Sequence, residues 1–226
     1  MARNIIDCKW VLKWSMEEER TSIANSASGQ VAKKQRVICA RLTVRGFRDV
    51  DKGHVATYAG TSQRYSQRII VSEAVLCGWD LATTDISKAF LQGVTYQELS
   101  ELIGERMREV NFSLPSYNIP QLQQVPGYTD FDPNSEVLHC DKPGTGSVDA
   151  PRCFSLKLSK VTVNCGLTAS NIDLELCYYH ETRNGKVELV AMMTKHVDDL
   201  KCAGERPVVI RILKEIEAVF GEMKIS

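Results

Sequence analysis

Two adjacent carboxylates, Asp198 and Asp199, interrupt a stretch of the chain that is otherwise apolar, and a third, Asp85, directly follows another apolar stretch. Ionised groups beside a hydrophobic core are costly unless a positive charge compensates them, and a divalent cation is the usual compensation. If the strands that carry the acids are neighbours in one sheet, the three carboxylates converge. Such a cluster predicts a two-metal site for nucleotidyl transfer, with hard oxygen ligands that select Mg²⁺ or Mn²⁺. The alternative is that the paired aspartates are solvated turn residues, which is their commoner role.

Hydrophobic periodicity predicts the elements that must position these acids. Strands are predicted at residues 79–84, 176–179, 187–195 and 200–203. The dipeptide Asn184-Gly185 favours a tight hairpin between the second and third of them. Helices are predicted from Thr61 or Ser62 to Gly78, from Ala150 to Gly166 with Pro151 in the first turn, and from Pro207 to Phe220. The fold class is therefore α+β, with an antiparallel sheet packed on helices.

The N-terminal part predicts a projecting hairpin with a basic surface. Residues 8–14 and 37–44 alternate as strands do, and the polar residues 15–30 connect them. The whole chain of 226 residues has 28 basic and 28 acidic side chains, so no global field attracts nucleic acid and any such surface must be local. The candidate nucleic-acid contacts are Lys33, Lys34, Arg36, Arg41 and Arg45. A solvated charged face is the alternative.

The cysteines and the apolar segments of the sequence disfavour a disulfide-rich, a zinc-binding or a membrane-spanning protein. The eight cysteines are spread singly without a C-x-x-C pair, which predicts free and mostly buried thiols. Cys177 and His180 have the spacing of half a zinc site, but no second pair completes it. No apolar run has the length that crosses a bilayer and no signal-peptide core is present, so an intracellular protein without a membrane partner is expected. Residues 93–140 have weak periodicity, apart from a helical stretch at 96–110.

Six segments spread over nearly the whole chain carry recognisable motifs. They are residues 9–13 (KWVLK), 40–47 (ARLTVRGF), 84–93 (TDISKAFLQG), 150–154 (APRCF), 170–179 (SNIDLELCYY) and 196–199 (HVDD). In the same order, they resemble the segments KWVFK, ARLVAKGF, MDVKTAFLNG, APRQW, SEADPCLYY and YVDD of the copia-type reverse transcriptase domain. Each match alone is modest, but six in order, with both acidic motifs correctly separated, strongly indicate this family.

The resemblance implies a polymerase palm whose metal site is formed by the three acids. Asp85 and Asp198 would bind the metal ions, Asp199 would support them, and the backbone of Ile86 would be a further ligand. The activity implied is RNA-directed DNA synthesis, in which a primer 3′-hydroxyl attacks the α-phosphate of a nucleotide. The cofactor is expected to be Mg²⁺ or Mn²⁺.

The resemblance also implies the residues that contact the incoming nucleotide. Lys88 and Ala89 would lie along the triphosphate, and the ring of Phe90 would abut the sugar, leaving no room for a 2′-hydroxyl. The alternative for Phe90 is a core aromatic. Gly146, in a glycine-containing loop, resembles the segment that contacts template and nucleotide, although a lone G-x-G is a weak phosphate signal. Arg41 resembles a finger-strand residue near the triphosphate or template.

Three departures from the family's pattern stand out. His196 replaces a tyrosine that packs near the primer terminus, so His196 is the candidate nucleic-acid contact there. Asp149 replaces the glutamine before the Ala-Pro pair, and the stretch between Gly93 and Cys140 is longer than usual. None of these changes removes a metal ligand.

The resemblance divides the chain into fingers (about residues 1–78) and palm (about 79–226), with an insertion at about 94–149. No segment matches a thumb or an RNase H domain, so both are expected to be absent from this chain, and template binding is expected to be weak and salt-dependent. The partners expected are a primed RNA or DNA template, deoxynucleoside triphosphates and the rest of a Pol polyprotein, namely thumb, RNase H and integrase. The expected location is a cytoplasmic particle or the nucleus.

Two other functions remain open at this stage. One is a non-catalytic retroelement relic that at most binds nucleic acid. The other is a palm-fold phosphotransferase such as a nucleotide cyclase, which would need neither a primer nor a basic hairpin. The Lys- and Arg-rich hairpin disfavours the cyclase.

Overall fold

The computed structural model describes residues 4–18, 34–104 and 106–225 of the chain. Its strands are β1 (Ile5–Glu18), β2 (Lys34–Val44), β3 (Asp80–Asp85), β4 (Asn111–Ser113), β5 (Leu138–His139), β6 (Thr168–Ala169), β7 (Leu176–Arg183), β8 (Lys186–His196), β9 (Asp199–Gly204) and β10 (Lys224–Ile225). Its α-helices are α1 (Arg64–Cys77), α2 (Tyr96–Ile103), α3 (Ile119–Leu122), α4 (Ala150–Asn164) and α5 (Arg206–Phe220). No helix among these residues is long and apolar enough to cross a membrane.

A six-stranded sheet, in the order β10-β3-β9-β8-β7-β6, carries the acidic residues. Each neighbouring pair in it is antiparallel. Alternate residues of a strand point to opposite faces, and helices cover both faces of this sheet. On one face α4 and α5 pack around Leu200, with Phe154 and Ile212 in the same cluster. On the other face α1 packs Ile70 against Met192.

The helices of this sheet begin and end where the sequence predicts, with one exception. Pro151 and Pro207 lie in the first turns of α4 and α5. Gly78 ends α1 in the left-handed conformation, with φ of 63°. The predicted capping residue of α1 is wrong, because Gln63 occupies that position without a side-chain cap. The Ser62 hydroxyl instead accepts a hydrogen bond from the side-chain amide of Gln67.

The second sheet has the order β2-β1-β4-β5 and includes the predicted N-terminal hairpin. Trp10 lies opposite Leu42 on an apolar face of the hairpin. Lys9 and Lys13 share the other face with Arg41, which makes that face basic. The apolar face, which includes Leu12 and Trp14, is largely exposed among the described residues. Residues 19–33 lie outside the described part of the chain.

Residues 94–149 connect the two sheets and hold a second small core. A capping box between Thr95 and Glu98 starts α2, and Gly104 ends it. The predicted helical stretch is therefore shorter than residues 96–110. Tyr96 and Leu99 of this helix are buried with Ile6 and Cys153, which belong to the N-terminal sheet and to α4.

Two glycines allow the loop before α4 to lie directly against the end of β2. The amide of Val44 donates to the carbonyl oxygen of Thr145 at 2.9 Å. A Cβ atom added at Gly46 would lie 2.2 Å from the carbonyl oxygen of Gly146, and one added at Gly146 would lie 2.2 Å from that of Val44. Both contacts are with backbone, which cannot rotate away. The approach of loop and strand therefore depends on glycine at both positions.

Gly46→Ala is expected to destabilise the protein by about 1–3 kcal/mol, because the added methyl group overpacks two backbone segments. The measurement is the free energy of unfolding in urea. Gly144→Ala, in the loop that packs against Gly46, is the matched control, since an added Cβ there has no atom within 4 Å. An equal effect of the two substitutions would contradict the close approach.

Candidate active site

The three candidate acids lie together at one end of the six-stranded sheet. Asp85 ends β3 and lies directly opposite Asp199, the first residue of β9. Directly opposed residues of antiparallel strands share a face and have Cβ atoms roughly 4.5–5.5 Å apart. Asp198 lies in the turn before β9, and its carbonyl oxygen accepts a hydrogen bond of 3.1 Å from the amide of Ile86. The strand adjacency that the metal-site prediction requires is therefore present.

The backbone beside the acids is strained at two residues. Val197, in the turn between β8 and β9, has a φ of 59°, and Lys88, shortly after β3, has a φ of 55°. Positive φ is unfavourable for residues other than glycine, and a β-branched residue such as valine is a clear outlier. Strain of this kind persists only where surrounding structure imposes it, and it concentrates at functional sites. Both strained residues flank the aspartates.

The segment before α1 fixes the strained turn from one side. The amide of Val197 donates to the carbonyl oxygen of Gly60 at 3.2 Å, and the amide of Ser62 donates to that of Lys195 at 2.9 Å. Thr61 forms a β-bridge with His196 between these bonds. The end of β8 thus has a backbone partner on each side, because β9 pairs with its other edge.

A cleft of about 670 Å³ opens beside two of the acids, on the face of the sheet that α1 covers. Asp85 and Asp199 line it together with the basic side chains of Arg64, His196 and Lys201. The ammonium group of Lys201 donates to the side-chain oxygen of Gln67 at 2.9 Å. The cleft therefore combines carboxylates with the cationic side chains of Arg64 and Lys201, a combination suited to a phosphate ligand that brings its own metal ion.

The donor chemistry of the three aspartates fits a hard divalent cation. Asp85 and Asp199 are exposed and Asp198 is half-buried, so a ligand in solution can reach all three. Within the described ranges, no group of three or more His, Cys, Asp or Glu side chains is gathered closely enough to hold a metal ion. Binding of one metal ion by all three aspartates would therefore require changes of rotamer, which the exposed Asp85 and Asp199 can make.

The predicted nucleotide contacts lie in two places. Lys88 and Phe90 are exposed after β3, and Phe90 is 37% accessible, so its ring is not part of a core cluster. Ala89 is only 4% accessible and Ile86 only 1%, so these two residues offer backbone atoms and not side chains. Gly146 lies against the end of β2.

The predicted nucleic-acid contacts on the hairpin differ in availability. Arg36 and Arg41 are exposed. Arg45 forms an ion pair of 2.9 Å with Asp7, a carboxylate that also binds Arg48. Lys33 lies outside the described residues, and Lys34 is the first residue of β2.

Sequence reasoning missed two buried ionic clusters. Arg108 binds Asp49 at 2.6 Å and also Asp149, and all three side chains are at most 12% exposed. Lys195 binds Glu175 at 3.1 Å, with side-chain exposures of 4% and 11%. A lysine at the end of the apolar run of β8 is the one sequence signal that could have indicated the second cluster. The partners of the first are too far apart in the chain for any local pattern to reveal.

No known protein-family model matches the chain. It is 23% identical over 207 residues to the retrovirus-related Pol polyprotein from transposon RE2 of Arabidopsis thaliana, and 22% identical over 206 residues to that from transposon RE1 of the same plant. These matches cover 92% and 91% of this chain but 12% of each polyprotein. The chain is therefore similar, over most of its own length, to a short segment of retrotransposon Pol polyproteins.

Proposed function

We propose that this chain is the fingers-and-palm portion of a reverse transcriptase, an RNA-directed DNA polymerase of a retrotransposon of the copia type. The observation that carries the proposal is the pairing of Asp85 with Asp199 across adjacent strands, with Asp198 in the strained turn beside them. The similarity to Pol polyproteins, which are retroelement proteins by name, supports the same origin. The polymerase fold is part of the proposal: the six-stranded sheet would be the palm and the N-terminal hairpin part of the fingers.

In this proposal the three aspartates have different roles at the metal site. Asp85 and Asp198, with the backbone of Ile86, would hold Mg²⁺ or Mn²⁺, and Asp199 would support them. The chemistry that such ions would supply is activation of the primer 3′-hydroxyl and stabilisation of the pyrophosphate leaving group. The strained turn would hold the Asp198 carboxylate at the end of the sheet where β3, β8 and β9 meet the cleft. His196 would lie beside the primer terminus.

The residues after β3 would receive the nucleotide. The exposed ammonium group of Lys88 can pair with triphosphate oxygens, and the backbone of Ala89 can donate to them. The ring of Phe90 would exclude a 2′-hydroxyl, which makes deoxynucleoside triphosphates the preferred substrates. The exposed Arg36 and Arg41 would contact the phosphates of a primed RNA or DNA template.

A second candidate is a non-catalytic nucleic-acid-binding relic. The observation that favours it is that the carboxylates are not gathered into a metal-binding cluster in the described part of the chain. It predicts binding of primed template without any chemistry.

The experiment that separates the two is single-nucleotide addition to a labelled primer on an RNA template. Reverse transcription predicts addition with Mg²⁺ or Mn²⁺ and complete loss with a chelator. Because one addition requires no processivity, weak template binding does not obscure the result. Template binding without any addition at saturating protein would support the relic and contradict the polymerase.

Phe90→Ala is expected to admit ribonucleotides that the parent chain excludes, because the smaller side chain leaves space for a 2′-hydroxyl. The measurement is the ratio of ribonucleotide to deoxynucleotide addition on one template. Leu91→Ala serves as the control, since Leu91 is adjacent and similarly exposed at 42%. An unchanged ratio in Phe90→Ala would show that the ring does not contact the sugar.

A further inference from the structure

A buried ion pair between Lys195 and Glu175 lies next to the turn that carries Asp198. Lys195 is 3% exposed, although it is the penultimate residue of β8 and its neighbour His196 is exposed. Its ammonium group contacts the carboxylate of Glu175 at 3.1 Å and the hydroxyl of Ser159 in α4, also at 3.1 Å. Its backbone amide donates to the carbonyl oxygen of Glu175 at 2.9 Å. Side chain and backbone thus tie β8 to the loop before β7.

The other side of Glu175 contacts the segment that holds the turn. A Cβ atom added at Gly60 would lie 1.6 Å from the Glu175 carboxylate oxygen, so the carboxylate lies against bare backbone there. The carbonyl oxygen of Gly60 is the acceptor for the amide of Val197. Glu175 is therefore placed between Lys195 and the backbone that binds the strained residue.

A second carboxylate of the same loop secures the beginning of α1. Asp173 accepts hydrogen bonds from the amide of Gln63 at 2.8 Å, from the amide of Glu175 at 3.0 Å and from the hydroxyl of Ser66. Burial alone would raise the pKa of Asp173, but these hydrogen bonds hold it below its usual value. The segment from Gly60 to Ser66 is thus hydrogen-bonded to the carboxylate of Asp173 and lies against that of Glu175.

Stability alone does not explain a buried lysine at this position. Buried ion pairs often contribute no net stability compared with apolar side chains of similar volume, because desolvation offsets the attraction. The pair contacts both segments that meet at Val197: Lys195 belongs to β8, and the Glu175 carboxylate lies against Gly60, whose carbonyl oxygen accepts from the Val197 amide. We propose that Lys195, through Glu175, is a positioning residue that holds the Val197–Asp198 turn in its strained conformation. The role of that turn in catalysis rests on the proposed function, but its conformation does not.

The test replaces both charges at once, since either single change would leave an uncompensated buried charge and could unfold the chain. Lys195→Met combined with Glu175→Gln keeps the side-chain volumes. The control is Arg183→Met with Glu205→Gln, a partly exposed ion pair of 2.6 Å at the opposite end of the same sheet. Amide hydrogen exchange is measured for Val197 and Ser62, whose amides donate to Gly60 and Lys195, and for Met193 in the middle of β8 as the reference.

The expected result is that exchange of Val197 and Ser62 accelerates roughly tenfold or more in the Lys195/Glu175 double variant, while Met193 and the control variant change little. Local loosening without global unfolding is what a positioning role predicts. Unchanged protection of Val197 and Ser62 in a folded double variant would overturn the proposal, and so would an equal acceleration of all three amides. Exchange is measured without substrate or metal, so a parent chain that adds no nucleotide would refute the proposed function and leave this test intact.

Discussion

Asp198→Asn is expected to lower the rate of metal-dependent nucleotide addition by roughly a thousandfold or more, which corresponds to about 4 kcal/mol in the transition state. The amide has nearly the volume of the carboxylate but lacks its charge, so it binds a divalent cation poorly. Asp198 lies in a turn and is half-buried, and its backbone contact with Ile86 involves the carbonyl oxygen, which the substitution retains. Stability in urea should therefore stay close to that of the parent chain.

Asp80→Asn is the control for this substitution. Asp80 is the first residue of β3, at the opposite end from Asp85, and its side chain is 54% exposed with a long contact of 3.8 Å to Arg206. Neutralising Asp80 removes the same charge from the same sheet but leaves Asp85, Asp198 and Asp199 unchanged. Equal rates of addition in Asp198→Asn and Asp80→Asn would exclude Asp198 from the metal site.

Arg108→Met is expected to destabilise the fold by about 3–5 kcal/mol, the typical cost of removing one partner from a buried ionic cluster. The guanidinium group of Arg108 is the shared partner of Asp49 and Asp149, whose side chains are 3% and 1% exposed. Without it two buried carboxylates are left with no positive charge between them. The cluster joins the segment after β2, the segment between α2 and β4, and the start of α4, so its loss should loosen all three. Arg206→Met, at a side chain that is 79% exposed, is the surface control and should change stability by less than about 1 kcal/mol.

The pH dependence of this destabilisation follows from Asp149. Burial raises the pKa of Asp149, and the charge of Arg108 opposes that rise. A carboxyl group with a raised folded-state pKa takes up a proton more readily in the folded protein, so stability falls as pH increases through the interval between its unfolded and folded pKa. Arg108→Met removes the opposing charge and raises that pKa further. The difference in unfolding free energy between parent and variant should therefore be largest at neutral pH and smaller in mild acid. A difference that grows on acidification would contradict this explanation.

The sheet that carries the acids was largely predictable from the sequence, because short local motifs mark its turns and the ends of its helices. Asn184-Gly185 marks the β7–β8 hairpin, Gly78 ends α1, and Pro207 starts α5. The predicted convergence of Asp85 with Asp199 needed only the assumption that their strands are neighbours, and β3 does pair with β9. A metal site at the three carboxylates was inferred from the residues themselves, whereas the role of each ligand and the nucleotide contacts came from the resemblance to a known family. All of these assignments remain predictions.

What the sequence could not supply were contacts between distant residues. Arg108 is 59 residues from Asp49 and 41 from Asp149, and no periodic pattern links positions so far apart. Residues 94–149 form short elements and many turns, and elements of this length are too short for hydrophobic periodicity to predict. The strain at Val197 was equally hidden, because a valine in a turn gives no sign of its φ until the flanking segments are in place.

Mn²⁺ binding measured by electron paramagnetic resonance tests the central claim most directly, because it reports the metal site without requiring catalysis. The parent chain, in the presence of primed template and a non-reacting deoxynucleotide analogue, is expected to bind Mn²⁺, and Asp85→Asn and Asp198→Asn should each weaken that binding while Asp80→Asn leaves it unchanged. Mn²⁺ affinity that is the same in the parent and in both acidic-site variants would contradict the assignment of Asp85 and Asp198 as metal ligands.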